Sequence, residues 1–123
     1  MIQLKRVYDS RSSEDGKRFL VERLWPRGMK KTSVRLDAWL KEVAPSHGLR
    51  CWFSHDPDKW EEFRRRYFSE LERNPLAWAP IVEAARHGRV TLLFSSHDME
   101  HNNAVALKEF LQSRMAGRSR WGP

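Results

Sequence analysis

Residues 18–28, Arg18-Phe19-Leu20-Val21-Glu22-Arg23-Leu24-Trp25-Pro26-Arg27-Gly28, and residues 89–94, Arg89-Val90-Thr91-Leu92-Leu93-Phe94, decide the fold. Each holds a near-continuous apolar run of strand length, as expected of strands buried on both faces, and such strands belong to parallel sheets. Residues 18–24 therefore read as one strand and residues 89–94 as another. Working outward, residues 2–8 (IQLKRVY) read as a further strand and residues 9–17 (DSRSSEDGK) as a loop. A crossover between parallel neighbours usually takes a dozen or more residues, so the pairing of the first two strands stays open.

Caps and periodicity supply the helices. Thr32 or Ser33 can cap a helix with Leu36, Trp39, Leu40 and Val43 at i, i+3, i+4 and i+7, ended by Pro45. Residues 46–53 (SHGLRCWF) fit a short helix capped by Ser46 better than a strand. Asp56-Pro57 is an N-cap with proline at the first helical position, and Trp60, Phe63, Tyr67 and Leu71 form the stripe that follows. Asn74-Pro75 repeats that signal for a helix with Leu76, Trp78, Ile81, Val82 and Ala85, which stops at Gly88. Asp98 can cap a last helix through about Met115, with Ala104, Leu107 and Leu111 inward and Gly117 past its end. The expected fold is α/β: a single small domain whose short, mostly parallel sheet is covered by helices in a three-layer-like arrangement. Residues 1–115 would form that domain and residues 116–123 a basic C-terminal tail, with Arg114, Arg118 and Arg120 lacking acidic balance.

Composition narrows the class. The chain has 123 residues, 40% of them hydrophobic, which is enough for a core without disulfides or metal. No stretch approaches the ~20 apolar residues of a membrane span, and residues 1–6 have no signal-peptide apolar region, so a cytoplasmic protein without membrane contact is expected. The single cysteine, Cys51, cannot form an internal disulfide, which agrees with a reducing compartment. A net charge of +7 invites a nucleic-acid reading. However, Arg64-Arg65-Arg66 lies among Glu61, Glu62, Glu70 and Glu72 as a solvated mixed-charge helix face. There is no GxSxG, P-loop or GxGxxG pattern and no readable pair of carboxylates, so standard hydrolase and nucleotide-kinase motifs are absent.

In open α/β folds ligands bind at the carboxyl ends of strands. One such end carries Glu22-Arg23-Leu24-Trp25-Pro26-Arg27-Gly28 and then Lys30 and Lys31. The other carries Ser95-Ser96-His97-Asp98 and then Glu100-His101-Asn102-Asn103. If the second and last strands are parallel neighbours, these clusters share a crevice in which guanidinium groups, hydroxyls, an amide and helix N-terminal N–H groups favour an anion. Arg23, Trp25, Arg27, Ser95 and Asn102 are the candidate ligand-binding residues, and Asp98 or His101 the candidate catalytic acid or base. The plainer alternatives are that Arg23 and Arg27 only pair with Glu22, Asp37 or Asp98, that Trp25 is a core lid, and that Pro26 and Gly28 are turn residues, one fixing φ and the other allowing φ > 0.

His47, Cys51 and His55 fall at i, i+4 and i+8, and His97 with His101 adds a second pair. Neither a CxxC nor an HExxH spacing is present and Pro57 ends the first run, so neither a metal nor a cofactor is expected. Cys51, beside Trp52 and Phe53, reads as buried and inert.

Residues 5–9, residues 15–28, Ala44-Pro45-Ser46, Leu49-Arg50, Trp52-Phe53, residues 91–102 and Ala104-Val105 together resemble the YeaO-like bacterial proteins, domain-of-unknown-function family 488. The likeness runs to about Gln112, and the block ending Arg23-Leu24-Trp25-Pro26-Arg27-Gly28 is its most specific part. It implies a single small cytosolic α/β domain and supplies no activity. Family members usually carry Asp where this chain has Glu22, which lengthens that carboxylate's reach. The sequence thus points to an uncharacterised domain binding a small anionic ligand, a phosphate, nucleotide or carboxylate. A nucleic-acid-binding module and a protein-interaction or structural domain without catalysis are the alternatives, and neither turnover nor oligomeric state is readable.

Overall fold

All five residues of the strand Val90–Phe94 are buried, because neighbouring strands flank both its edges and side chains cover both its faces. The computed structural model describes the backbone of residues 1–121 and the side chains of residues 1–116. Its elements are β1 (Ile2–Arg6), β2 (Lys17–Leu20), β3 (Ala38–Trp39), α1 (His47–Phe53), α2 (Trp60–Glu72), α3 (Pro75–His87), β4 (Val90–Phe94) and α4 (Asn103–Trp121). The sheet order is β1-β4-β2-β3 and every pairing is parallel. The chain is thus a single small α/β domain. The open question of the first two strands resolves simply: they are not neighbours, because β4 lies between them. Their connection carries a single 3₁₀ turn, Ser13–Asp15, capped by the Ser12 side chain. Gly16, at φ +66°, then brings the chain so close to the Arg89 carbonyl that a Cβ would collide with it.

Side-chain alternation divides the sheet into two unlike faces. Ile2, Phe19, Val21, Val90, Leu92 and Phe94 join one large core cluster with buried residues from all four helices. On the other face only Val7, Leu20, Val34 and Leu93 form a cluster, with Trp25, Met29, Leu36 and Trp39 packed against it. That layer is an irregular segment, where a helix was expected. Leu36, Trp39, Leu40 and Val43 have helical spacing, yet no α-helix forms over them, and only a 3₁₀ turn, Lys41–Val43, follows Leu40. Asp37 instead exchanges hydrogen bonds with the Arg18 backbone, and Ala38 and Trp39 pair with Phe19 and Leu20 as an edge strand. Trp39 Nε1 donates to the Glu22 carbonyl at 2.6 Å, which holds the strand there.

Other expectations shift at their ends. β2 stops at Leu20, with Val21 N–H still reaching the Leu93 carbonyl at 3.3 Å, and the chain then leaves the sheet so that Leu24 is 62% exposed. α1 forms with Ser46 as its cap, and α2 buries Phe63, Tyr67 and Leu71 after a turn begun at Asp56-Pro57. α3 ends at Gly88, but Leu76 points to solvent. Asp98 caps only the turn before α4, accepting from the N–H groups of Glu100 and His101 at 2.9 Å, while Asn102 accepts from Val105 N–H and starts the helix. The α4 backbone continues to Trp121, beyond Met115 and Gly117. Arg114 has an acidic partner, Glu72 at 3.2 Å. Of the expected tail, the side chains from residue 117 onward lie outside the described residues. No described helix is long and apolar enough to cross a membrane.

Candidate functional site

Because β2 and β4 are parallel neighbours, their carboxyl ends open on one edge of the sheet, and a cleft of about 400 Å³ lies there. Its size falls in the range of small-molecule sites. Phe53 of α1 and Phe63 of α2, stacked with ring centroids 4.4 Å apart, supply apolar wall. The polar wall comes from both strand ends, which are tied together by Glu22, whose carboxylate accepts from Ser95 N–H at 3.0 Å. That bond occupies one oxygen of the Glu22 carboxylate.

Arg23, Trp25, Arg27, Ser95, His101 and Asn102 all line this one cleft, whereas Asp98 stands behind it. None of the expected neutralising pairs forms. Asp37 engages Lys17 and the Arg18 N–H, Asp98 engages His101, and Glu22 engages Ser95. Arg23 reaches the Ala44 carbonyl at 3.3 Å and lies 3.9 Å from Glu42 at the rim, and its Nε is buried without a hydrogen-bond partner. Arg27 is exposed and its guanidinium has no polar partner among the described residues. Its position is set through the backbone: Tyr8 Oη donates to the Arg27 carbonyl at 2.9 Å, and Gly28 turns the chain at φ +80°. Trp25 both covers the smaller core cluster and walls the cleft, with Nε1 donating to the Met29 carbonyl at 2.6 Å.

The last-strand side is more committed internally. Asn102 is buried and uses its amide twice, donating to the Asp98 carbonyl at 2.8 Å and capping α4. Asn103 donates to the Val21 carbonyl at 2.7 Å. The N–H groups of Glu100, His101 and Val105, which an anion could have claimed, are therefore occupied. The Asp98 carboxyl is lowered from its ordinary value, first by the Glu100 N–H, then by the His101 N–H and ring. An ionised carboxylate only accepts, so His101 Nδ1 carries the proton in their 3.0 Å contact, on a residue that also lines the cleft. The ring is braced edge-on against Trp60, with centroids 5.4 Å apart.

Two features of the cleft were not read from the sequence. Arg50 of α1 lines it and has no side-chain partner among the described residues. The sequence signal for it is its place one turn before Ser54 on the helix that Ser46 caps, which a rule about strand ends does not reach. Ser54 and His55 also line the cleft and lie consecutively in the left-handed region, at φ +46° and +57°. Each such conformation costs ~1–3 kcal/mol, and strained backbone of this kind clusters at ligand clamps. Cys51, expected buried, is exposed on the cleft wall with Sγ 3.5 Å from His47 Nε2. The neighbouring Phe53 turns inward while α1 rotates Cys51 outward. Among the described residues no group of three His, Cys, Asp or Glu is placed to hold a metal ion.

Comparison with known proteins agrees over nearly the whole chain. A family model described as the inactive DUF488-N3 subclade matches residues 1–121. The uncharacterised protein YeaO of Escherichia coli (strain K12) is 41% identical over 112 residues, which is 91% of this chain and 97% of that protein. The uncharacterised protein Rv3073c of Mycobacterium tuberculosis (strain ATCC 25618 / H37Rv) is 34% identical over 113 residues, 92% of this chain and 95% of that protein. No solved structure gives a significant match.

Proposed function

Given that this chain belongs to the DUF488 family, in the subclade described as inactive, we propose that it binds a small anionic ligand in the β2/β4 cleft and does not turn it over. The ligand is a phosphate, nucleotide or carboxylate. The observation that carries this reading is unmatched charge: Arg27 and Arg50, without side-chain partners among the described residues, and Arg23, whose Nε is unpaired, line a cleft whose one carboxylate, Glu22, is tied to Ser95. Guanidinium N–H groups left without acceptors, all of those of Arg27 and Arg50 and the Nε of Arg23, fit a ligand that brings the acceptors, and the fork geometry suits phosphate and carboxylate oxygens. The buried Arg23 Nε has most to gain, since an unsatisfied buried donor costs ~1–3 kcal/mol. Ser95 Oγ and His101 Nε2 offer further hydrogen bonds, with Asp98 fixing the imidazole's tautomer. Trp25 and Phe53 close the apolar side, and Asn102 maintains the α4 start that positions His101.

The test is a thermal-shift screen of the purified protein against phosphates, nucleotides and small carboxylates, repeated on Arg27→Ala and Arg50→Ala. A ligand at about 100 times its Kd adds roughly 2.7 kcal/mol, a shift of several degrees for a domain this size. A shift lost in both variants, with the ligand recovered chemically unaltered, is the expected result. A panel with no hit overturns the reading in favour of a protein-interaction domain, and a hit consumed with turnover overturns its non-catalytic part.

A further inference from the structure

Charge is matched on one side of the molecule and left unmatched on the other. Residues 60–87 contain five arginines and five glutamates. They pair extensively, as in Arg64–Glu61 at 3.0 Å, Arg66–Glu62 at 2.8 Å and Arg86–Glu83 at 3.5 Å. Residues 24–41 contain five cationic side chains, Arg27, Lys30, Lys31, Arg35 and Lys41, and one carboxylate, Asp37. Asp37 is taken by Lys17 and the Arg18 N–H, so none of the five has an acidic partner among the described residues. Two of the lysines lie instead against tryptophans: Lys41 is 4.2 Å from the Trp39 ring centre, and Lys31 is 5.8 Å and 5.9 Å from those of Trp25 and Trp39. Trp25 and Arg27 also line the cleft, so patch and cleft are one continuous surface.

We propose that the anion bound in the cleft is one nucleotide of a single-stranded nucleic acid, whose neighbouring phosphates and bases run along the 24–41 segment. This deepens the cleft reading and rests on it. Backbone-tracking cations beside half-exposed aromatic rings are the composition of sequence-tolerant single-strand sites, where phosphates meet the charges and bases stack on the rings. A single strand fits better than a duplex for two reasons. A base reaches a cleft of about 400 Å³ only when it is out of its stack. The 24–41 segment also carries no α-helix to enter a groove, and the buried residues of all four helices pack on the opposite face of the sheet. An anionic membrane surface would meet the lysines and leave the cleft arginines unused.

Fluorescence anisotropy of a short labelled oligothymidylate, of an oligouridylate and of a DNA duplex, each titrated across a salt series, tests this. The variants are Lys31→Gln/Lys41→Gln and Arg50→Ala, each first shown by circular dichroism to be folded. Single strands are expected to bind, with affinity falling as salt rises by about 0.7 in log–log slope per phosphate contacted. The double lysine variant should reduce that slope by about 1.4 and weaken strand binding ~10-fold or more, yet keep the thermal shift given by a nucleoside monophosphate. Arg50→Ala should lose both. A monophosphate shift with no strand binding overturns this proposal and leaves the cleft reading standing. Duplex bound as tightly as single strand, strand binding indifferent to Arg50→Ala, or binding only to phosphatidylglycerol vesicles also overturns it.

Discussion

The two faces of the sheet are held by different physics. Against the helical face the chain buries a large, continuous apolar cluster that includes Phe63, Tyr67, Ile81, Leu107 and Leu111. Beneath the 24–37 segment the apolar cluster is small, and beside it lies a buried ionic group: Asp15, 5% exposed, contacts both Lys5 and Arg18, while Thr91 donates to the Asp15 carbonyl at 2.7 Å. Apolar burial stabilises in proportion to area and is insensitive to direction, whereas a buried ion pair must recover a large desolvation penalty through geometry. The helical side is thus where stability resides. The segment on the other face is held at a few points, and it is that segment which supplies one wall of the cleft.

The sharpest way to break this contrast is to make the same cavity on both faces of one strand. Leu92 and Leu93 are adjacent, both fully buried, and point to opposite faces. A Leu→Ala change costs ~2–5 kcal/mol, more where the surroundings cannot collapse into the void. Leu92→Ala, among packed helices, should fall near the upper end. Leu93→Ala, under an irregular segment free to settle, should fall near the lower end. Urea unfolding of the two variants measures the difference; equal losses would mean that the segment packs as rigidly as the helices do.

The same asymmetry explains what the sequence made legible. β4, α2 and α3 were readable because each combines a pattern with punctuation: the apolar run ending at Phe94, Asp56-Pro57 before the Trp60 stripe, and Asn74-Pro75 with Gly88. The two helices lie on the helical side and β4 runs through the middle of the sheet, places where local pattern and tertiary packing agree. Residues 33–43 misled because Leu36, Trp39, Leu40 and Val43 have helical spacing by coincidence, while the deciding partners, Arg18 for Asp37 and the Glu22 carbonyl for Trp39, are distant in sequence. At the site, the meeting of the two strand ends followed from parallel pairing. Arg50 and the exposure of Cys51 did not, because they depend on how α1 is rotated over the cleft, which no strand-end rule specifies.

Asp15→Asn comes next in size and acts on the other face alone. Removing one partner of a buried ion group strands the others, at ~3 kcal/mol or more. Burial by itself would raise the Asp15 carboxyl, but the Ser12 N–H, Lys5 and Arg18 outweigh it and hold the group below its ordinary 3.8. A carboxylate depressed in the folded state contributes its stability fully above the unfolded value and loses it as pH falls through the folded value. The wild-type denaturation midpoint should therefore drop on acidification below the ordinary carboxylate range. In Asp15→Asn the midpoint should start lower at neutral pH and fall less. Parallel acid profiles would show that the ionic group adds nothing to that face.

The smallest effects test the surface charge directly, and there the two regions should differ in sign. On α2, Glu62 accepts from both Arg65 and Arg66, and those hydrogen bonds hold its carboxyl below the ordinary range. Glu62→Gln leaves three adjacent arginines with less compensation, so thermal stability should fall slightly, and added salt should shrink the difference because exposed pairs are screened. Lys31 stands among like charges with no acid to lose. Lys31→Gln relieves repulsion, so thermal stability should hold or rise slightly at low salt, with the gain also vanishing as salt is added. If both variants lose stability alike, the 24–41 cations are compensated within the fold, and their excess charge is not held in reserve for a ligand.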